Sequence, residues 1–176
     1  TTSSGKTTLQ EISESLNSKP YVEYAKLYEN VARGEETIRI NATDYVTDDT
    51  TATVAVVSDY QGMPGKALQI KDDGRVTWSF ELEEEGMYTI LFDYCSVSDK
   101  TNSIERTLYI NGTVPFSEAR YLLMKKTWVN EYAANGRFEI DGNGNELRPT
   151  STVLHEWHKY YMIDSKGYYA NPFEFY

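Results

Sequence analysis

The sequence predicts an all-β sandwich of the jelly-roll kind, preceded by one short helix. Three observations predict it. Short runs of alternating apolar residues recur, with Gly-, Asn- and Asp-rich turn signals between them roughly every ten residues. Only Pro20 to Arg33 carries a helical spacing of apolar residues. Aromatics make up 14% of the chain, with 15 Tyr, and such rings suit pleated, half-buried sheet faces.

The elements follow in order. Thr1–Thr8 is rich in Ser, Thr and Gly, and residues 1–19 read as a flexible leader left after removal of an export signal. Its Gly5-Lys6-Thr7 imitates the end of a phosphate-binding loop but lacks the preceding glycine and strand that such a loop needs. The helix is expected over residues 20–34, with Ser18 to cap it, Pro20 in the first turn and Gly34 as the stop. Tyr21, Ala25, Tyr28 and Val31 fall near one face, with Tyr24 and Leu27 beside them, so the helix should pack against the body.

From residue 35 to 176 the pattern is that of a β module. Thr37–Tyr45 alternates, with Ile38, Ile40 and Ala42 on one side. Thr51–Val57 is β-branched and leads to the turn at Gly62–Gly65. Ala67–Ile70 is a short strand closed by Asp72-Asp73-Gly74. Arg75–Leu82 is the clearest strand, with Val76, Trp78, Phe80 and Leu82 on one side; Trp78 is expected in the core. Met87–Tyr94 follows. Ile104–Ile110 then ends in Asn111-Gly112, a tight-turn dipeptide. Ser117–Leu123 is locally helical or irregular. Trp128–Tyr132 and Arg137–Ile140 are short, Asp141–Pro149 is a loop, and Trp157–Ile163 is a strand. Pro172–Tyr176 begins another strand, and the chain stops inside it, as a fragment would. An unpaired final strand leaves an edge that invites self-association.

Composition narrows the function. In 176 residues, Lys+Arg is 17 and Asp+Glu is 27, a net charge of −10. The length fits one domain with a real core. The acidic balance argues against binding a nucleic-acid backbone, which needs a basic stripe, and against docking on an anionic membrane. Cys95 stands alone, which excludes an intrachain disulfide and a cysteine metal site. A Tyr-rich acidic surface suits neutral polar partners, sugars above all, because the ring stacks while the hydroxyl hydrogen-bonds.

The ordered series Ile40–Tyr45, Gly65–Ile70, Gly74-Arg75-Val76-Thr77-Trp78-Ser79-Phe80, Glu85-Gly86-Met87-Tyr88-Thr89-Ile90 and Leu108-Tyr109-Ile110-Asn111-Gly112 resembles the galactose-binding-like jelly rolls of carbohydrate-binding module families 6 and 35. The later half is narrower in kind. Pro115-Phe116, Trp128, Asn145-Glu146-Leu147-Arg148-Pro149, Trp157, Asp164–Tyr169 and Pro172–Tyr176 resemble the N-terminal domain of large extracellular solute-binding lipoproteins of bacterial sugar ABC-transport systems. The resemblance implies a noncatalytic module, extracellular or attached to the cell surface. It would bind an oligosaccharide or polysaccharide and form part of a larger parent protein. Those modules often hold Ca²⁺ through two carboxylates in the first strand. Asn41 and Thr43, before Asp44, stand at the matching positions, so an amide and a hydroxyl replace them.

The resemblance also ranks the candidate site residues. It implies Trp128 as a stacking platform, Trp157 as the residue that opens and packs the late strand, and Tyr60 as a second aromatic. Asn130 or Arg148 would bond sugar hydroxyls. The same rings could instead pack the insertion onto the sandwich. Asp141-Gly142-Asn143-Gly144-Asn145-Glu146 sets oxygens from Asp141, Asn143 and Asn145 at alternate positions, as a Ca²⁺ loop does. However, Glu146 stands where an EF-hand requires Gly, and a plain Gly/Asn turn accounts for the run equally. His155 and His158 are three apart, so on a strand they face opposite ways and would not share one zinc. Asp48-Asp49, Asp72-Asp73 and Glu83-Glu84-Glu85 sit in turns, where solvated charge is the ordinary state, not the pair across a cleft that a glycosidase uses. No enzyme is expected. The alternative to sugar binding is a module that docks onto another protein.

Overall fold

The computed structural model describes residues 19–131 and 139–176. Except for Lys19, the expected leader lies outside the described residues, as do Arg137 and Phe138 of the strand expected at 137–140. The chain is all-β, mostly strand with a single short helix among the described residues. In chain order the elements are α1 (Tyr21–Leu27), β1 (Val54–Ser58), β2 (Lys66–Ile70), β3 (Tyr88–Thr89), β4 (Leu91–Cys95), β5 (Ile104–Arg106), β6 (Leu122–Met124), β7 (Thr127–Glu131), β8 (Thr150–Leu154), β9 (Trp157–Tyr161) and β10 (Glu174–Phe175). They divide between two compact units. One contains residues up to Asn30 and Thr89–Phe175; the other contains Val31–Tyr88 and Tyr176.

The first unit holds the aromatic core. Phe116, Ala119, Leu122, Tyr160, Met162, Phe173 and Phe175 are buried together, with Phe92, Tyr94, Leu108 and Met124 packed against them. Phe92, Tyr94 and Tyr160 come from the antiparallel ribbon of β4 with β9 and Leu122 and Met124 from that of β5 with β6, while Ala119 comes from the 3₁₀ turn before β6 and Phe175 from β10. Full burial of a ring such as Phe116 or Phe173 contributes about 1.5–3 kcal/mol.

Helix α1 joins this core through its tyrosines. The Tyr21 ring lies 4.6 Å from Phe173 and 4.8 Å from Phe116, and Tyr24 lies 5.2 Å from Phe116. Pro20 offers no side-chain cap. Glu118 supplies one from across the fold, its carboxylate accepting the Tyr21 N–H at 2.9 Å. The helix is shorter than expected. Beyond it, Ala32 and Gly34 give their backbone groups to Met87, through Met87 N–H to Ala32 O at 3.0 Å and Gly34 N–H to Met87 O at 3.2 Å. Residues so bridged cannot also serve helical bonds.

The Asn111-Gly112 turn forms as the sequence predicts. Both residues have positive φ, 50° and 81°, which is the type I′ requirement, and Ile110 and Thr113 exchange both backbone hydrogen bonds across it. The Ser117–Leu123 segment resolves into a 3₁₀ turn, Ser117–Arg120, followed by β6.

Buried Asp164 organises the loop before β10. Its carboxylate accepts the N–H groups of Lys166, Tyr168 and Tyr169 at 3.1, 2.6 and 3.3 Å.

The second unit is built on the β1–β2 hairpin, whose register pairs Val54 with Ile70 and Ser58 with Lys66. Asp59 closes the connection, accepting Gly65 N–H on its side chain and donating its own N–H to Gly65 O. Two expected strands of this unit do not form. Thr37–Tyr45 is interrupted because Asn41 and Asp44 bond to each other through backbone and side chains and close a turn. Arg75–Leu82 keeps only an antiparallel bridge from Trp78 to Tyr45. The hydroxyls of Thr50 and Thr51 take the Thr77 and Arg75 N–H groups that a ladder would have used. Trp78 is half-buried rather than in a core, and its indole N–H donates to Ala42 O at 3.1 Å.

Candidate functional site

Two of the site candidates, Trp128 and Asn130, lie on the β7–β8 ribbon. Its register sets Trp128 beside Val153 and Asn130 beside Ser151. Residues two apart on a strand share a face, and their Cα atoms are about 7 Å apart. Trp128, Asn130, Ser151 and Val153 therefore line one face. Val153 is buried, whereas Trp128 is 41% exposed and Asn130 and Ser151 are exposed. The Ser151 hydroxyl donates to Asn130 Oδ1 at 2.7 Å. That bond fixes the amide so that its NH₂ group remains a donor beside the indole. The result is one exposed ring face with an amide and a hydroxyl next to it.

The structure brings Trp128 and Asn130 together and distributes the other candidates. Trp157 is half-buried on β9, opposite Cys95. Burial, then the charge of Glu156, pushes the Cys95 thiol up from its ordinary range. Arg148 is exposed in the segment that leads into β8. Tyr60 belongs to the other unit, half-buried at the start of a 3₁₀ turn, Tyr60–Gly62. Ser151 was not singled out from the sequence, although Thr150–Leu154 is a β-branched run of the kind that signals a strand.

Asp141, Asn143 and Asn145 do meet, but as donors around an acceptor. Asp141 Oδ1 accepts the Asn143 and Asn145 N–H groups at 2.9 and 2.8 Å, and Oδ2 accepts the Asn145 side-chain amide at 3.0 Å. The Asn145 side chain thus turns its nitrogen, not its oxygen, toward the carboxylate. The Asn145 side chain, then the surrounding backbone N–H groups, hold the Asp141 carboxyl below its ordinary value of 3.8. No group of three or more His, Cys, Asp or Glu among the described residues is arranged to hold a metal ion.

The two histidines take separate partners. His155 sets Nδ1 against the Ser96 carbonyl and Nε2 3.0 Å from Asp99. His158 Nε2 lies 3.1 Å from the Thr127 hydroxyl and 3.4 Å from Glu156. No helix among the described residues is long and apolar enough to cross a membrane. No family model, curated protein or solved structure matches the chain.

Proposed function

We propose that the chain is a noncatalytic carbohydrate-binding module, a jelly-roll sandwich that is extracellular or attached to the cell surface as part of a larger solute-binding protein. The observation that carries this reading is the Trp128 face of β7–β8, where an exposed indole stands next to Asn130 and Ser151. A sugar ring stacks its C–H face on an indole while its equatorial hydroxyls reach in-plane donors and acceptors. An amide held by a neighbouring hydroxyl offers such groups without further ordering cost. The resemblance of the strand series to sugar-binding jelly rolls points the same way.

The test is a glycan-array screen followed by tryptophan-fluorescence titration of any hit, using this chain and Trp128→Ala. Thermal melts confirm that both are folded. Saturable binding lost in Trp128→Ala is the expected result. A blank array from folded protein would overturn the reading.

A second reading, docking onto another protein, draws on the unit 31–88. There Phe80 is 52% exposed and Leu82 43%, with Ile38 and Ile40 also exposed, and large exposed apolar side chains are what a protein partner would cover.

A further inference from the structure

The β4–β9 ribbon has two faces of different character. Phe92 pairs with Tyr160 and Tyr94 with His158, and Phe92, Tyr94 and Tyr160 belong to the core. The alternate pairs, Leu91 with Tyr161, Asp93 with Lys159 and Cys95 with Trp157, must therefore point the other way. On that outer face Tyr161 is 48% exposed and Leu91 41%. Asp93 and Lys159 are exposed, and Trp157 is half-buried.

We infer that this outer face is a second carbohydrate platform, taking a neutral oligosaccharide along β9. The inference rests on the carbohydrate reading above but uses different residues. Tyr161 and Trp157 are four residues apart on one strand face, about 13 Å at the strand rise, more than one sugar ring covers. Lys159 lies between them, with Asp93 as its cross-strand neighbour. The pair places a multiple donor and a multiple acceptor between two rings, an arrangement that serves hydroxyls facing both ways. Its charges cancel, so the face itself attracts neither an anion nor a cation. The surrounding chain, at −10, disfavours acidic sugars and phosphates. A ligand that reaches both rings must be a chain of several units, and affinity should rise with its length.

The test is isothermal titration calorimetry of the full chain with cellohexaose, xylohexaose and mannohexaose, and with the matching disaccharides. It compares the wild type with Tyr161→Ala, Tyr161→Phe, Lys159→Ala and Trp128→Ala, each checked by thermal melt. The expected result is that one hexaose binds, the matching disaccharide binds about tenfold or more weaker, and Tyr161→Ala weakens the hexaose by about tenfold. Tyr161→Phe keeps most of the affinity because the ring stays, Lys159→Ala weakens binding, and Trp128→Ala leaves a Tyr161-dependent binding event. Hexaose binding abolished by Trp128→Ala and unchanged in Tyr161→Ala and Lys159→Ala would overturn this platform and leave the Trp128 site standing. Failure of every hexaose to bind folded wild type would overturn this platform, while the Trp128 reading would still stand or fall with the glycan array.

Discussion

The Glu174 backbone N–H donates to the Tyr21 hydroxyl at 3.1 Å, joining residues 153 positions apart in sequence. The same tyrosine packs its ring on Phe173 and Phe116, so it contributes both a hydrogen bond and ring burial. The two contributions separate by mutation. Tyr21→Phe should cost about 1 kcal/mol, the value of one hydrogen bond whose donor is left behind. Tyr21→Ala should cost about 3 kcal/mol or more, because it also leaves a cavity among aromatic rings. Urea unfolding of both variants measures the difference, and equal losses would contradict the assignment.

Asp164 is buried and fully engaged by three backbone N–H groups. Asp164→Ala should destabilise by about 3 kcal/mol or more, since those donors lose their acceptor. Asp164→Asn, which keeps one side-chain oxygen, should cost less. Thermal or urea unfolding that ranks the two variants the other way would refute the role given to the carboxylate.

Two glycines separate conformational strain from steric exclusion. Gly112 has open space around it, so Gly112→Ala meets only the left-handed backbone penalty, about 1–2 kcal/mol. Gly74 combines a φ of 105° with the Ala52 backbone, whose Cα would lie 2.4 Å from an added Cβ. Gly74→Ala should therefore be the more damaging change, which denaturant midpoints of the two variants will show.

The Asp141 loop gives a pH signature. Its carboxyl is held low by N–H donors that favour the charged form. The ordering they provide is fully present above the ordinary value of 3.8 and disappears as pH falls through the lower folded value. A carbon-detected NMR titration of the Asp141 carboxyl should have its midpoint below 3.8, with the Asn143 and Asn145 amide shifts moving alongside. A midpoint above that value would show that the loop is not held this way.

On the carbohydrate reading proposed above, Asn130 would supply the groups that reach a ligand, and Ser151 holds Asn130 in place. Asn130→Ala should weaken a bound glycan more than Ser151→Ala does, by about tenfold against a few-fold. The titration that tests Trp128→Ala measures both, and the reverse order would reassign the direct contact to Ser151.

The elements legible in the sequence were those whose cause is local. Asn111-Gly112 declares its turn because the left-handed backbone favours those two residues. Trp157–Tyr161 and all of Leu91–Cys95 except Cys95 fall within expected strands because each alternates core and surface residues. Arg75–Leu82 alternates just as cleanly, yet strand formation also needs a partner ladder, and the Thr50 and Thr51 hydroxyls compete for its donors. The helix start was legible at Pro20; its end was not, because the bridge to Met87 that claims Ala32 and Gly34 is non-local. Trp128 and Asn130 could be named from sequence, whereas the bond from Ser151 depends on a register that no single segment contains.

The α1–core contact also bears on the order of events as the chain is made. Tyr21 and Tyr24 leave the ribosome early, but Phe116 follows only after most of the intervening chain, and Phe173 later still. A helix of seven residues has too few turns to hold itself in water. The helix Tyr21–Leu27 is thus among the last of the described elements to settle, and until then its tyrosines are open to chaperones and to the same segment of neighbouring nascent chains.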